Sequence, residues 1–386
     1  MSTLVLADDL TGALEVAVIA RQAGVPSRVL LDADAATHAA TEGPQLTVVD
    51  LRSRDLRATV AAAVHRDFLS RCSASPDVLV LKKTDSLLRG NIAVELLTLR
   101  QRFPQRSIVY VPAYPQMGRW LDGGLLYAKD EHGAIQQIGD LRATLSAAFH
   151  ASEITWVRQA EALVEVLSRK PASVAVCEAR DQAELESIGA ILRDAVAVSG
   201  QWLASGTDKA ESPIIVGPAA IFRCLFPQRD ASEQARFPTV SHAGLGLVGS
   251  YHSVSRSQLE ALADSRLALV AQAEGKGAAS FGDLWQQARA SRQWLFLSGH
   301  VENLLSAALD ASAPIYLSGG ATASAVLLAH AISEMEPIAE LSPGLVYSRA
   351  NLGLQTLHLF TKSGAFGDAH TLVHMIETLQ GDNQPA

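Results

Sequence analysis

The strongest constraint on the fold is a short apolar run that ends abruptly in a charged segment. Residues 78–81 are apolar, and Lys82-Lys83-Thr84-Asp85-Ser86-Leu87-Leu88-Arg89-Gly90-Asn91 follows them directly. Residues 92–99 then have the spacing of an amphipathic helix. A buried strand, a polar turn and a helix in this order predict one unit of a parallel α/β sheet. In such sheets ligands bind at the carboxyl ends of the strands, where this turn would lie.

The same succession of apolar strand, polar turn and helix recurs through both halves of the chain. Because strands that alternate with helices form parallel sheets, we expect an α/β protein with two domains, each a mostly parallel sheet flanked by helices. A polar stretch without periodicity separates the halves, so we predict domains at residues 1–226 and 245–386 with a linker at 227–244. The expected strands are residues 3–7, 26–31, 46–50, 78–81, 107–111, 173–177 and 213–216, then 245–248, 294–297, 314–317 and 357–361.

Composition excludes several classes of partner. The chain has 386 residues, enough for two separate cores, and a formal net charge of -8, so no nucleic-acid partner is expected. No apolar run is long enough to span a bilayer, so no membrane partner is expected. The spacing of the three cysteines, Cys72, Cys177 and Cys224, matches no metal-binding or disulfide pattern, and the histidines are scattered. We therefore expect a cytoplasmic protein without a metal site of its own. The sequence leaves a homo-oligomer open.

Two further turns of the first half carry charge at predicted strand ends. Asp8 and Asp9 follow the first strand, and Arg54 lies in a basic stretch after the strand at 46–50. Adjacent carboxylates at a strand end can bind a metal ion, accept hydrogen bonds from hydroxyl groups or act as a general base. The alternative is that one of them caps the following helix, which needs a single carboxylate.

The turn after the central predicted strand concentrates cations beside a carboxylate. Lys82, Lys83 and Arg89 surround Asp85 at the start of a predicted helix. The N-terminus of a helix favours an anion, and lysine and arginine at that point suit a carboxylate or a phosphate. We therefore predict an anion site in this turn, with a solvated surface turn as the alternative.

The second half places small residues at its predicted strand ends. Gly249-Ser250, Gly319-Gly320-Ala321-Thr322 and Lys362-Ser363-Gly364 each follow an apolar run. Glycine lets a ligand approach the backbone closely, and a following helix offers N–H groups to phosphate. The chain has neither the P-loop sequence nor the dinucleotide-binding glycine pattern. These turns predict a nucleotide site of another type, although glycines can also serve tight turns alone.

Together these segments resemble the four-carbon acid sugar kinases, which phosphorylate D-threonate, D-erythronate or 3-oxo-tetronate with ATP. The resemblance covers nearly the whole chain. It rests on Ala7-Asp8-Asp9-Leu10-Thr11-Gly12-Ala13, Ser53-Arg54, residues 82–91, Pro112-Ala113-Tyr114-Pro115, Gly118-Arg119, Gly249-Ser250, Gly319-Gly320 with Thr322-Ala323, Pro343-Gly344 and Lys362-Ser363-Gly364.

The resemblance implies an N-terminal domain that holds the sugar acid and a C-terminal domain that holds ATP with Mg²⁺, with the active site in the cleft between them. The residues expected to bind the sugar acid are Asp8, Asp9, Arg54, Lys82, Lys83, Thr84, Asp85, Ser86, Arg89 and Asn91. The residues expected to bind the nucleotide are Ser250, Gly319, Gly320, Ala321, Thr322 and Gly364.

The charged turns also suggest a mechanism. Arg54 with Lys82 or Lys83 would clamp the carboxylate of the acid. Asp9 or Asp85 would accept the proton of the attacking hydroxyl group. The expected catalytic residues are therefore Asp9, Lys83 and Asp85, because phosphoryl transfer needs chiefly positioning and charge neutralisation.

Departures from the family pattern, most of them on the nucleotide side, motivate an alternative function. Ala321 stands where the family usually has an acidic residue, and Ala365 stands where it has glycine. The main alternative is therefore a catalytically weak or inactive relative that binds a sugar acid. A lyase or dehydrogenase acting on a similar acid is another, although the missing dinucleotide fingerprint counts against a dehydrogenase.

Overall fold

The structure is a computed structural model, and it describes residues 2–33, 46–72, 78–130, 133–168, 173–205, 212–228, 237, 243–273, 278–301 and 312–381. The chain divides into two compact units, residues 1–229 and 230–386. The division falls inside the segment expected to be a linker, of which residues 229–236 and 238–242 lie outside the described residues. Among the helices within these ranges, none is both long enough and apolar enough to cross a membrane.

The first unit is built on an open parallel sheet, as the alternation of strands and helices predicts. Its strands are β1 (Thr3–Ala7), β2 (Ser27–Leu30), β3 (Leu46–Asp50), β4 (Leu79–Lys83), β5 (Ile108–Tyr110), β6 (Arg119–Asp122), β7 (Leu125–Lys129), β8 (Ile135–Asp140), β9 (Ile154–Val157), β10 (Val174–Cys177) and β11 (Ile214–Gly217). The parallel sheet has the order β2-β3-β1-β4-β11-β5-β10-β9. The mostly parallel sheet predicted for this half is confirmed.

Helices connect these strands and cover the sheet. They are α1 (Leu10–Gln22), α2 (Ala58–Arg71), α3 (Ile92–Arg102), α4 (Leu141–Ser146), α5 (Ala160–Ser168), α6 (Gln182–Ser205) and α7 (Ala219–Leu225). Phe68 on α2 and Leu96 and Leu99 on α3 are fully buried in the same core cluster as Leu4 and Val80 of the sheet. The amphipathic spacing that predicts α3 therefore corresponds to a face buried against the strands.

The register of the sheet brings three predicted polar turns to one edge. Ala7, the last residue of β1, is paired with Asp50 at the end of β3 and with Lys83 at the end of β4. Because these strands are parallel and adjacent, the turns that follow them start at the same level. The turns that begin at Asp8, Leu51 and Thr84 thus lie side by side, as the sequence predicts for a ligand site.

A three-stranded antiparallel sheet, in the order β6-β7-β8, was not predicted from the sequence. Its strands are partly exposed, so they lack the buried apolar run or strict alternation by which a strand is recognised. The sheet lies close to the central turn, since a Cβ atom on Gly139 would lie 2.7 Å from Leu88 Cδ1.

The second unit contains β12 (Leu245–Val248), β13 (Ala268–Gln272), β14 (Trp294–Ser298), β15 (Ile315–Ser318), β16 (Glu334–Ser342), β17 (Leu345–Leu352) and β18 (Gln355–Lys362). Its helices are α8 (Ser253–Ser265), α9 (Ala278–Ser291), α10 (Gly320–Ala329) and α11 (Thr371–Gln380). The strand order is β13-β14-β12-β15-β18-β17-β16, parallel from β13 to β18 and antiparallel from β18 to β16. The sequence did not predict β13, β16 or β17.

The second sheet aligns its own strand ends. Val248 at the end of β12 is paired with Ser318 at the end of β15, and Ser318 is paired with Lys362 at the end of β18. The turns that start at Gly249, Gly319 and Ser363 therefore lie next to one another. All three were predicted from the small residues that follow apolar runs.

A buried ion pair lies beneath the charged turns of the first unit. The sequence predicted that the central strand ends at residue 81, but β4 continues to Lys83. Because side chains alternate between the faces of a strand, Lys82 and Lys83 point in opposite directions. The Lys82 Nζ atom lies 3.0 Å from Glu95 Oε2 on α3, and Lys83 Nζ lies 3.7 Å from Glu15 Oε2 on α1. The side chains of Lys82 and Glu95 are 0% and 2% exposed.

The ion pair also connects the strand to the loop that follows β3. Ser53 Oγ donates a hydrogen bond of 2.6 Å to Glu95 Oε1. Burial raises the pKa of Glu95, but the charge of Lys82 together with the neighbouring His65 and the hydrogen bond from Ser53 outweighs burial, and the pKa is lowered. Burial, followed by the charge of Lys82, lowers the pKa of His65 on α2 to about 4. His65 is therefore neutral near pH 7, and the buried charges are those of Lys82 and Glu95.

The Glu95→Ala substitution should lower the free energy of unfolding by about 3–5 kcal/mol, because it leaves Lys82 buried without its counter-ion. Urea denaturation followed by circular dichroism measures the change. The matched control is Glu184→Ala, which removes an exposed carboxylate from its pair with Arg180 and should cost about 1 kcal/mol or less. Equal losses in the two variants would show that the buried pair does not stabilise the fold.

Candidate functional site

The first candidate site lies at the carboxyl ends of β1, β3 and β4; we call Asp8, Asp9, Arg54 and residues 82–91 the first edge site. Its centre is the guanidinium group of Arg54. Arg54 Nε and Nη2 donate to the two carboxylate oxygens of Asp8 at 3.0 and 2.9 Å, and Nη1 donates to Asp9 Oδ2 at 2.6 Å. The structure therefore brings the acidic turn after β1 and the basic turn after β3 into direct contact.

Asp9 is the N-cap of α1, which confirms the cap alternative for one of the two aspartates. Its Oδ1 atom accepts a hydrogen bond from Gly12 N at 2.9 Å, and its Oδ2 atom accepts one from Thr11 Oγ1 at 2.7 Å. Burial raises the pKa of Asp9, but the charges of Arg54 and Lys83 outweigh it and lower the pKa. Asp9 thus stays ionised.

Asp8 differs from its neighbour in this respect. Its carboxylate is 2% exposed, and burial raises the pKa of Asp8 in spite of the nearby Arg54 guanidinium. Two adjacent carboxylates that share one guanidinium thus have pKa values shifted in opposite directions. This pattern is typical of acid–base sites, although structural ion pairs also produce it.

Asp85 organises the turn that follows β4. Its Oδ2 atom accepts hydrogen bonds from the backbone N atoms of Leu87 and Arg89 at 2.8 and 3.2 Å, and from Arg89 Nε at 3.1 Å. Arg89 Nη2 donates to the other oxygen at 2.5 Å. Burial raises the pKa of Asp85, but the hydrogen bond from Arg89, the charges of Arg54 and Arg89 and the hydrogen bond from Leu87 N outweigh burial, so the pKa is lowered. A carboxylate held in this way is a weak proton acceptor.

The two lysines of the central turn have different environments. Lys82 is completely buried, and its ammonium group is paired with Glu95. This position does not favour the predicted contact between Lys82 and a ligand carboxylate, which stays a prediction. Lys83 Nζ donates to Thr84 O at 3.1 Å and lies beside the start of α1. A Cβ atom on Gly12 would lie 2.8 Å from both Lys83 Nζ and Asp9 Oδ1. Glycine at this position lets Lys83 and Asp9 come together.

The remaining predicted residues of the first edge site have partners that explain their positions. Thr84 N donates to Gly217 O at 3.0 Å, which fixes the start of the turn. Asn91 Nδ2 donates to Ser53 O and Leu56 O at 2.8 and 2.9 Å, so it anchors the loop that carries Arg54. Ser86 Oγ accepts a hydrogen bond from Arg119 Nη1.

Glu15 and Glu95 were not predicted as members of this region. Each is a charged residue on the buried face of a helix: Glu15 is 6% exposed and Glu95 is 1% exposed. Glu15 is the one charged residue in the apolar stretch 10–20, and a charge in such a stretch requires a buried partner. This property of the sequence could have identified it, although not its partner Lys83.

The second candidate site lies at the carboxyl ends of β12, β15 and β18; we call residues 249–250, 319–322 and 363–366 the second edge site. A Cβ atom on Gly249 would overlap Thr322 Oγ1, and one on Gly364 would overlap Ser250 Oγ. The predicted nucleotide-binding residues of all three turns are therefore brought together. Gly319 precedes α10 with a φ of 97°, a conformation that favours glycine, and no side chain caps the helix.

The turn after β18 is held by side chains beneath it. Lys362, which is 0% exposed, donates from Nζ to Ser363 O and Phe366 O at 2.9 Å each. Burial lowers the pKa of Lys362 to about 7. Ser255 Oγ donates to Gly364 O at 3.0 Å, and Gln258 Nε2 donates to Phe366 O at 3.1 Å. Neither Ser255 nor Gln258 was predicted, because their function is to fix backbone carbonyl groups.

Ala321, the position that departs from the family pattern, lies exposed in the first turn of α10. Its neighbours Gly320 and Thr322 are partly buried. The open N-terminus of α10 is thus formed by backbone groups and by the hydroxyl group of Thr322, and its uncapped N–H groups suit a phosphate.

Comparison with known proteins also assigns different ligands to the two halves of the chain. Residues 3–144 match the family model of a sugar-binding N-terminal domain, and residues 269–372 match that of a nucleotide-binding C-terminal domain. The first edge site lies within the first match. The turns after β15 and β18 lie within the second match, and the turn after β12 precedes it.

Curated relatives align along the whole chain. The D-threonate kinase of Cupriavidus necator is 28% identical in an alignment that covers 100% of both chains. The D-threonate kinase of Bordetella bronchiseptica is 26% identical, with 97% of each chain covered. A solved Haemophilus influenzae structure of the family DUF1537 has the same fold, with a TM-score of 0.66 and 18% identity over 98% of this chain and 99% of that chain. The two matched domains and these full-length relatives show that the chain belongs to the four-carbon acid sugar kinase family.

Proposed function

We propose that the protein transfers the γ-phosphoryl group of ATP to a hydroxyl group of a four-carbon sugar acid such as threonate, erythronate or 3-oxo-tetronate. The observation that supports this most is the presence of two chemically different edges in one chain. One edge has ionised side chains that suit hydroxyl and carboxylate groups, and the other has open glycine turns that suit phosphate. D-Threonate is the first acid to test, because both relatives named above are D-threonate kinases.

The second edge site has features that fit a nucleotide. The overlaps at Gly249 and Gly364 mean that no side chain larger than hydrogen is accommodated there, because Thr322 and Ser250 occupy that space and the three turns pack closely together. The hydroxyl groups of Ser250 and Thr322 lie at the same edge, next to the uncapped start of α10. Mg²⁺, which the use of ATP implies, would neutralise phosphate charge when bound.

Asp9 is the better placed of the two expected proton acceptors. The carboxylate of Asp9 accepts three hydrogen bonds, from Thr11, Gly12 and Arg54, whereas that of Asp85 accepts four from Leu87 and Arg89. Asp9 also lies beside Lys83 Nζ at the N-terminus of α1, where positive charge would stabilise a phosphoryl group in transfer. We assign proton acceptance to Asp9, charge neutralisation to Lys83 and support of the turn to Asp85.

The purified protein should release ADP from Mg²⁺-ATP when a four-carbon sugar acid is present. A coupled ADP assay with threonate, erythronate and 3-oxo-tetronate measures this, with the acid-free rate as the control. At least one acid should raise the rate well above that control. A protein that binds such an acid in calorimetry but neither binds nor consumes ATP would be a sugar-acid-binding relative instead.

The Asp9→Asn substitution should lower kcat by about a hundredfold or more, the usual effect of removing a general base. Asparagine is as good an N-cap as aspartate, so α1 should be retained. The comparison is Asp85→Asn, for which we expect a loss in kcat of less than about tenfold, together with a lower melting temperature. The opposite ranking of the two kcat values would assign proton acceptance to Asp85.

The Gly364→Ala substitution should weaken ATP binding about tenfold or more, because the added methyl group would displace Ser250 at the second edge site. Calorimetric titration with ATP measures the effect, and affinity for the sugar acid should not change. Gly282→Ala is the matched control, since a Cβ atom on Gly282 meets no atom within 4 Å. Unchanged ATP affinity in Gly364→Ala would remove this turn from the nucleotide site.

A further inference from the structure

We propose that Arg119 binds the carboxylate group of the substrate and thereby makes the enzyme select sugar acids over neutral sugars. This inference rests on the proposed function and assigns one part of it to a residue outside the predicted set. Arg119 is the first residue of β6, in the antiparallel sheet that the sequence did not predict. Its guanidinium group donates a hydrogen bond to Ser86 Oγ of the first edge site.

The other cations of this edge already have carboxylate partners. Arg54 forms hydrogen bonds with both Asp8 and Asp9. Lys82 is paired with Glu95 in the interior, and Lys83 is within 4 Å of Glu15. Arg89 is paired with Asp85 through two of its nitrogen atoms. The clamp of Arg54 with a lysine, expected from the sequence, would therefore have to break existing ion pairs.

Arg119 is different from these cations. Within the described part of the chain its guanidinium group donates one hydrogen bond, to the hydroxyl group of Ser86, and the carboxylates of Asp85 and Glu15 act on its charge without forming an ion pair with it within 4 Å. Burial lowers the pKa of Arg119, but a guanidinium group remains charged near pH 7. A half-buried, charged guanidinium group without a directly paired carboxylate is suited to a planar carboxylate, which it can bind through two parallel hydrogen bonds.

The backbone holds Arg119 in a fixed position. Tyr114 N donates to Arg119 O at 2.8 Å, and Arg119 N donates to Tyr114 O at 3.1 Å. Between them, Gly118 has a φ of 64° and its N–H group donates to Pro115 O at 2.8 Å. This turn is closed by its own hydrogen bonds, so the side chain needs little ordering when a ligand binds.

The charge distribution across the edge matches a hydroxy acid. Asp8 and Asp9 share one guanidinium group, which leaves an excess of acceptor capacity at that end for the hydroxyl groups of a substrate. Arg119 supplies a positive charge at Ser86 that forms no direct ion pair with a carboxylate of the described residues. A molecule with hydroxyl groups at one end and a carboxylate at the other can donate to the aspartates and accept hydrogen bonds from Arg119.

The test compares threonate with threitol, which carries a hydroxymethyl group in place of the carboxylate. The Arg119→Met substitution should weaken threonate binding about 10- to 100-fold, the scale of hydrogen bonds to a charged group, and leave the weak binding of threitol unchanged. Arg119→Lys keeps the charge and should lose less, because lysine cannot form the bidentate contact. Arg180→Met, which removes an exposed guanidinium group paired with Glu184, is the matched control and should bind threonate normally.

Calorimetry with both ligands, and with ATP for each variant, separates the outcomes. Unchanged ATP binding by Arg119→Met would show that the variant is folded. If Arg119→Met and Arg119→Lys both bind threonate as tightly as the unmodified protein does, the role assigned to Arg119 is wrong and the proposed function stands. Parallel losses for threonate and threitol would also overturn the inference, since they would indicate a structural effect. If the unmodified protein binds no four-carbon sugar acid, the proposed function fails and this inference fails with it.

Discussion

The burial of charge at the ends of β1, β3 and β4 determines how the first edge site is built. A buried guanidinium or carboxylate group costs several kcal/mol unless it is paired and hydrogen-bonded. The chain meets this requirement with Arg54 between Asp8 and Asp9, and with Lys82 against Glu95. Each of these contacts joins residues distant in sequence, so the loop after β3 is fixed by its charges as well as by its backbone.

The two candidate edge sites are built from different parts of the chain. The first edge site consists mainly of charged side chains, and their positions depend on ion pairs. At the second edge the turns are backbone, held from beneath by Lys362 and Ser255. This difference explains why the departure at Ala321 falls at the second edge: its exposed side chain is not part of the backbone cradle, so the position can vary while the cradle remains.

Much of the fold could be predicted from the sequence because the central strands are continuous apolar runs. The strands that were missed, such as β6 to β8 and β16, are partly exposed and lack such runs. The polar turns were predicted because they follow the apolar runs, but the pairing inside them was not. Which carboxylate each cation contacts depends on register and on helices such as α3, and these are not visible in local patterns. Arg119 was noted only as part of a family motif, since its position depends on the sheet that was missed.

The alternation of Lys82 and Lys83 along β4 limits how this segment can change in evolution. One lysine is paired with Glu95 and the other lies near Glu15, although the two residues are identical and adjacent. Deletion or insertion of a single residue within β4 would exchange their faces and leave each ammonium group without its carboxylate. Changes in length should therefore be absent from this strand among functional relatives. Replacement of either lysine by arginine, by contrast, changes only one of the two ion pairs.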